Sequence, residues 1–272
     1  MHMSTKMIIA ITVVALLAVA AFIFFRVMPA ADMENKDTLA NNTTNTMDPE
    51  NAQVAILPIE HASFAFLLAG RSVYVDPVGE ADAYVQAQAP DLILVTDIHA
   101  DHFSTSTLEA LATPDTQLIV PQAVADLLPA SLLERSYVLA NGEETTQKDL
   151  RVEAVPMYNV PESDDAYHVK GRGNGYIVEA GNVRVYIAGD TGPIPEMNDL
   201  SDIDVAFVPM NLPYTMSVED AAEAVVNFAP RSVYPYHYRT PDGFSDVERF
   251  KELVNEADPT IEVQLLDWYH GV

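Results

Sequence analysis

The chain has 272 residues, about half of them apolar, and carries 40 acidic against 14 basic residues for a formal charge of -26. A surface so acidic repels a phosphate backbone, and no basic cluster offsets it, so no nucleic-acid partner is expected. There is no cysteine, which excludes disulfides, a thiolate nucleophile, thiolate metal ligands and a lipid-modified N-terminal cysteine. Any metal must be held by histidine and carboxylate, a donor set suited to zinc, manganese or iron.

From Met7 to Phe25 the chain reads MIIAITVVALLAVAAFIFF, about 19 apolar residues, enough to cross roughly 30 Å of hydrocarbon as a helix. Lys6 precedes this run and Arg26 follows it, and Met28-Pro29-Ala30-Ala31 makes a poor cleavage site. Residues 1–27 are therefore expected to be an uncleaved membrane anchor, with a removed signal peptide as the alternative. The rest would then be anchored outside the cytoplasm, or secreted. Residues 28–52 are polar and rich in Asn and Thr, cannot bury enough apolar surface to fold alone, and read as a tether. Residues 53–272 are left for one folded domain.

In that domain short β-rich runs alternate with helical ones. Phe64–Leu68, Ser72–Val75, Leu92–Val95, Leu118–Val120, Val152–Val155, Tyr176–Val178, Val183–Ile187, Val205–Val208 and Val233–Tyr236 are predicted strands, each stopped by Gly, Pro, Asp or Asn. Helices are predicted at Ser104–Leu111, Gln122–Leu128, Val218–Phe228 and Asp246–Ala257. Ser217 with Asp220 three residues on is an N-cap signal, and Pro230 marks the far end of that helix. The mixture implies an α/β sandwich with open sheets.

The apolar strand Leu92–Val95 runs into Thr96-Asp97-Ile98-His99-Ala100-Asp101-His102. Two histidines and two aspartates thus fall within six residues at a strand's C-terminal end. Asp97, His99 and Asp101 alternate and can project to similar sides while His102 turns away, so one loop can serve two adjacent ions. A solvated acidic strand end is the plainer alternative.

The run Asp97-Ile98-His99-Ala100-Asp101-His102 resembles the His-x-His-x-Asp-His motif of the metallo-β-lactamase superfamily, with aspartate in place of the first histidine. His168, opening the glycine-punctuated run to Gly175, is similar to the superfamily's second histidine motif. Ala188-Gly189-Asp190-Thr191 resembles the turn that carries a metal-bridging carboxylate, and Pro235-Tyr236-His237-Tyr238 resembles the last histidine motif. Glu60-His61-Ala62-Ser63-Phe64, Tyr74-Val75-Asp76-Pro77 and the loop Pro209–Met216 resemble the ascorbate-6-phosphate lactonase-like subgroup, over Val54 to Tyr269.

The resemblance implies a four-layer αββα sandwich with a metal pocket at one edge. It also implies two divalent ions, zinc first, with manganese or iron as alternatives. One would take Asp97, His99 and His168, the other Asp101, His102 and His237, with Asp190 between them. Asp97 is either a ligand or a group behind the ligands that orients a histidine. His61 is expected to face the pocket in a catalytic role, and Asp101 to pass a proton as well as ligate. Tyr158-Asn159 is a candidate pocket wall, and Lys170 and Arg172 are candidate cations for a phosphate or carboxylate. Tyr236, Tyr238, Trp268 and Tyr269 are read as packing, and His2 and His270 as incidental. The expected activity is hydrolysis of a small ester, lactone or phosphoester by metal-bound hydroxide. A phosphodiesterase and a non-catalytic metal-binding domain are the alternatives.

Overall fold

The computed structural model describes residues 54–270. The first sheet holds six strands in the order β1 (Ala55–Glu60), β2 (Ser63–Leu68), β3 (Arg71–Val75), β4 (Leu92–Leu94), β5 (Gln117–Val120) and β6 (Ser136–Val138). The first three run antiparallel and the rest parallel. The second sheet holds seven: β7 (Glu144–Gln147), β8 (Leu150–Met157), β9 (Gly173–Ala180), β10 (Val183–Ile187), β11 (Val205–Pro209), β12 (Ser232–Tyr236) and β15 (Glu262–Val263). A small ribbon of β13 (Arg239–Thr240) and β14 (Gly243–Phe244) stands apart from both.

Strand alternation assigns the layers. Phe64, Phe66 and Leu68 of β2 join Leu92 and Leu94 of β4 and, across the gap, Val185, Phe207 and Tyr236 in one buried cluster between the sheets. Residues of opposite parity face outward and are covered too. Ile93, Val95, Leu118 and Val120 pack under the helices α1 (Thr105–Leu111), α2 (Gln122–Ala125) and α3 (Ala130–Leu133). Ala206, Val208 and Val233 pack under α4 (Val218–Phe228) and α5 (Val247–Ala257). Strands buried on both faces are why β4, β11 and β12 read as continuous apolar runs. Each large side chain so enclosed, such as Phe64 or Phe207, contributes roughly 1.5–3 kcal/mol. The αββα sandwich follows, as expected.

Helix α4 shows how local sequence sets an element. Ser217 accepts from the Asp220 N–H at 3.0 Å, and Glu219 and Asp220 place negative charge in the first turn. Ala221, Ala224, Val225 and Phe228 form its buried face. It ends at Ala229 in the left-handed region, where Pro230 follows.

The expected membrane placement needs correction. Among the described residues no helix is long and apolar enough to cross a membrane. The longest, α4 and α5, have 11 residues each. The run Met7–Phe25, on which the anchor and the extracytoplasmic placement rested, and the tether after it lie outside the described residues.

Candidate metal centre

The parallel strands β3, β4, β10, β11 and β12 deliver their C-terminal ends to one edge of the sandwich, the position where open α/β sheets place ligands. Asp76 follows β3, the Asp97 to His102 loop follows β4, Asp190 follows β10, Asn211 follows β11 and His237 follows β12. His61 comes from the turn between β1 and β2, and His168 from the connection between β8 and β9. His61, Asp76 and His237 have φ of 55, 43 and 49°. Left-handed backbone at residues other than glycine costs about 1–3 kcal/mol each and persists only where the surroundings enforce it. Here the backbone locks itself: the His237 N–H donates to the His61 carbonyl (3.3 Å), and the His61 N–H to the Trp268 carbonyl (3.4 Å).

At the next turn, Gly189 has a φ of 66° and presents Asp190, and a Cβ at position 189 would collide with the Met157 thioether. Gly189→Ala is expected to cost about 1–3 kcal/mol from strain and overpacking together. Thermal denaturation checks this, and an unchanged midpoint would contradict it.

Asp190 lies at the centre of the cluster. Its Oδ2 is 3.2 Å from Nε2 of both His102 and His168, and its Oδ1 is 3.4 Å from Nε2 of His237. The Nε2 atoms of His102 and His237 are themselves 3.2 Å apart. Donor atoms around a tetrahedral ion with bonds of about 2 Å stand about 3.3 Å from one another, so these three groups have the spacing of a shared ligand shell. Two further orphaned atoms support the fit: His168 Nε2 and Asp190 Oδ1 are buried with no hydrogen-bond partner. Burial would raise the Asp190 pKa, but the His237 and His102 rings hold it well below the usual carboxylate range.

Three groups of side chains could hold an ion: His102, Asp190 and His237; Asp97, His99 and His168; and His61, Asp101 and His237. The structure thus brings together every metal-site residue expected from sequence. It also places His61 in the cluster, its ring 3.8 Å from that of His237. Nitrogen and oxygen donors without sulfur suit hard or borderline divalent ions.

The groups behind the clustered histidines fix their tautomers. Nδ1 of His102 lies 2.7 Å from Oδ2 of fully buried Asp76, whose two oxygens also accept from the Thr96 N–H and hydroxyl at 2.7 Å each. Burial works against charge on His102, yet the Asp190 and Asp76 carboxylates on either side push its pKa well up. Nδ1 of His168 lies 3.2 Å from the Tyr214 carbonyl, to which only a protonated nitrogen can donate, so Nε2 keeps its lone pair for the cluster.

The Tyr269 hydroxyl accepts from the N–H groups of Tyr238 and Arg239 at 3.1 and 3.0 Å. Its own proton is left for His61 Nδ1, 2.7 Å away. His61 therefore carries its proton on Nε2, which faces Asp101 Oδ2 at 3.5 Å. Burial first, against the pull of Asp101, lowers the His61 pKa and favours the neutral ring. Asp101 is held ionised, its own partial burial outweighed by the His237 and His61 imidazoles.

Several readings change. Lys170 and Arg172, expected to meet a substrate anion, are engaged within the chain. Lys170 pairs with Glu196 (3.0 Å) and Glu162 (3.2 Å), and Arg172 forks onto Asp97. Arg239, not anticipated, lines the cavity instead. Tyr158 is buried against Glu196 rather than forming a wall. Asn159 ties the His168 loop down, accepting from the His168 N–H at 2.9 Å and donating to the Tyr214 carbonyl at 2.7 Å. Tyr236 and Trp268 are packing, as read, but Tyr269 positions His61. His270 is exposed beside Asp267, and His2 lies outside the described residues.

An αββα sandwich with a histidine and aspartate cluster at its strand ends defines a metal-dependent hydrolase of the metallo-β-lactamase fold. Residues 56–237 match the family model of the beta-lactamase superfamily domain. A UPF0173 metal-dependent hydrolase of Thermococcus kodakarensis is 32% identical over 210 residues, 74% of this chain and 92% of that protein. A solved structure from Parabacteroides distasonis, named as a metal-dependent hydrolase, superposes with a TM-score of 0.70 at 37% identity, covering 79% of this chain and 94% of that one. Igni18, a metallo hydrolase of Ignicoccus hospitalis, shares the fold at a TM-score of 0.67 and 24% identity, covering 78% of this chain and 94% of its own. The chain belongs to the metallo-β-lactamase superfamily, within the UPF0173 metal-dependent hydrolases.

Proposed function

We propose that the chain hydrolyses a small ester, lactone or phosphoester, with His102, Asp190 and His237 holding one divalent ion, Asp101 beside them, and Asp97, His99 and His168 flanking a second position. The observation that carries this reading is the cavity of about 440 Å³ above the cluster, lined among others by His61, Asp101, Asp190, Asn211, His237 and Arg239. That volume takes a metabolite-sized molecule, and the polar side chains that converge on it can orient one electrophilic centre. The resemblance to ascorbate-6-phosphate lactonase-like proteins points the same way. The lining contains neither serine nor cysteine, and the reading takes water as the nucleophile.

Zinc, manganese or iron there would supply Lewis acidity, making water more acidic and polarising the scissile group. The chain's own groups handle protons. Asp101, ionised and 45% exposed at its side chain, accepts a proton from water. His61, held in one tautomer by Tyr269, presents Nε2–H toward Asp101 and the cavity, where it can donate a hydrogen bond to the oxygen on which charge develops, while the proton that Asp101 has taken from water goes on to the leaving oxygen. Arg239 stacks its guanidinium 4.6 Å from the Tyr269 ring and pairs with Glu60 at 3.3 Å. Restrained in this way at the cavity wall, it favours a substrate with an anionic substituent.

The test is a panel of esters, lactones, phosphomonoesters and small phosphodiesters with metal-reconstituted protein. Turnover of at least one class, lost in chelator and restored by zinc or manganese, is expected. His61→Ala should slow it by about 100-fold or more while leaving metal content unchanged, as removal of a hydrogen-bond donor to a developing oxyanion does. No turnover across the panel at full metal loading would refute the substrate class. A phosphodiester as sole substrate would favour the phosphodiesterase reading, which the same Arg239 also suits.

A further inference from the structure

Arg172 reaches into the Asp97, His99 and His168 cluster rather than out to solvent. Its Nε donates to Asp97 Oδ1 at 3.0 Å and its Nη2 to Asp97 Oδ2 at 2.7 Å, a planar fork on a fully buried carboxylate. The same Nη2 donates to the Tyr167 carbonyl at 2.6 Å and lies 3.3 Å from His99 Nε2. Both hydrogens of Nη2 are already directed at Asp97 and Tyr167, and a guanidinium has no lone pair to receive an imidazole N–H, so the His99 nitrogen facing it is the unprotonated one. His99 then carries its proton on Nδ1, which faces Asp97 Oδ2 at 3.1 Å. Asp97 thus lies between the Arg172 fork and the His99 ring. Asp190 Oδ1, in the neighbouring cluster, has no hydrogen-bond partner and faces only the His237 ring, at 3.4 Å.

We propose that Arg172 opposes a cation at Asp97, His99 and His168, so that the centre takes one divalent ion tightly, at His102, Asp190 and His237, and a second only weakly. This rests on the metal reading of the site given above. For His99 to offer Nδ1 to an ion, its proton must move to Nε2, where it would point at the N–H of Arg172. If His99 offers Nε2 instead, the guanidinium stands in the way. Asp97 must meanwhile share Oδ2 between the ion and a cation already paired with it. The fork neutralises the charge that aspartate would otherwise bring where the superfamily has histidine. The cluster of His102, Asp190 and His237 has no guanidinium against it: its carboxylate is flanked by imidazoles.

Stepwise binding of zinc alone to chelator-stripped full-length protein, followed against a chromophoric competitor, tests this without reference to turnover. The parent chain should bind one equivalent at least about 10-fold more tightly than the next, and Arg172→Gln should raise the affinity of the second equivalent by about 10-fold, the lower end of effects seen for groups behind metal ligands. Arg172→Lys, which keeps the charge but not the fork, should give a smaller rise and serves if the glutamine variant fails to fold. Equal affinity for two equivalents in the parent, or a second equivalent that weakens when Arg172 is replaced, overturns the proposal. The latter result would make Arg172 a support for a ligating Asp97. No zinc bound by folded protein would instead overturn the metal reading beneath it, and a negative substrate panel with normal zinc steps would overturn only the substrate class.

Discussion

Asp190→Asn is expected to lose metal at every step of a zinc titration and to lose turnover with it, by more than about 100-fold. The reason is position: both carboxylate oxygens are used, Oδ2 toward His102 and His168 and Oδ1 toward His237, so the side chain touches both histidine clusters at once. Groups behind metal ligands typically cost 10–100-fold when removed, and a carboxylate at the centre of the shell should exceed that range. Asparagine keeps the volume and tolerates the turn after Gly189, so the fold should survive. The amide would, however, set an N–H₂ group against an imidazole nitrogen and withdraw the one buried negative charge that three histidines surround. Elemental analysis alongside a denaturation curve separates the outcomes. Normal metal content and parental rates in a folded Asp190→Asn protein would remove the basis for the metal centre.

Asp76→Ala should be the most destabilising substitution at the site, although Asp76 is not placed there as a ligand. Its carboxylate is wholly buried and satisfies three donors: His102 Nδ1, the Thr96 N–H and the Thr96 hydroxyl. Breaking a buried pair by removing one partner costs about 3–5 kcal/mol, because the remaining group is left charged or unpaired in the interior. Alanine at the left-handed φ of Asp76 adds to this, since aspartate tolerates that region better. For a domain of this size the unfolding midpoint should fall by roughly 6–20 °C. His102 would also lose the group that fixes its tautomer, and zinc affinity should drop about 10–100-fold. Asp76→Asn, which retains an acceptor for one donor, should lie between the two. A midpoint within about 2 °C of the parent in Asp76→Ala would show that the carboxylate does not hold this loop.

The sequence by itself determined the sandwich and much of the side-chain cluster at its edge, because both are written locally. Alternation and apolar runs set β2 to β5 and β8 to β12 within a residue or two at most ends, and Ser217 and Pro230 bounded α4 as observed. Asp97, His99, Asp101 and His102 stand in one six-residue loop after a buried strand, so their convergence needed no knowledge of distant chain. The edge strands β1, β6 and β7 were not legible: they are short or only partly buried, and their pairing rather than their pattern makes them strands. Tertiary structure alone decided what each ligand leans on. Tyr269 reaches His61 across 208 positions, Arg172 reaches Asp97 across 75, and Asp76 reaches His102 across 26. A tyrosine, an arginine and an aspartate have many ordinary uses, and nothing in their neighbours' identities distinguishes these. One clue was available for Asp76, an acidic residue closing the apolar strand Ser72–Val75 directly before Pro77. The cations show the limit best. Composition revealed that basic residues are scarce, but only packing could show that Lys170 and Arg172 are committed to carboxylates away from the cavity while Arg239, paired with Glu60, lines it. A hydrogen bond made across the fold depends on which strand ends are brought together, and strand order is a property of the whole chain.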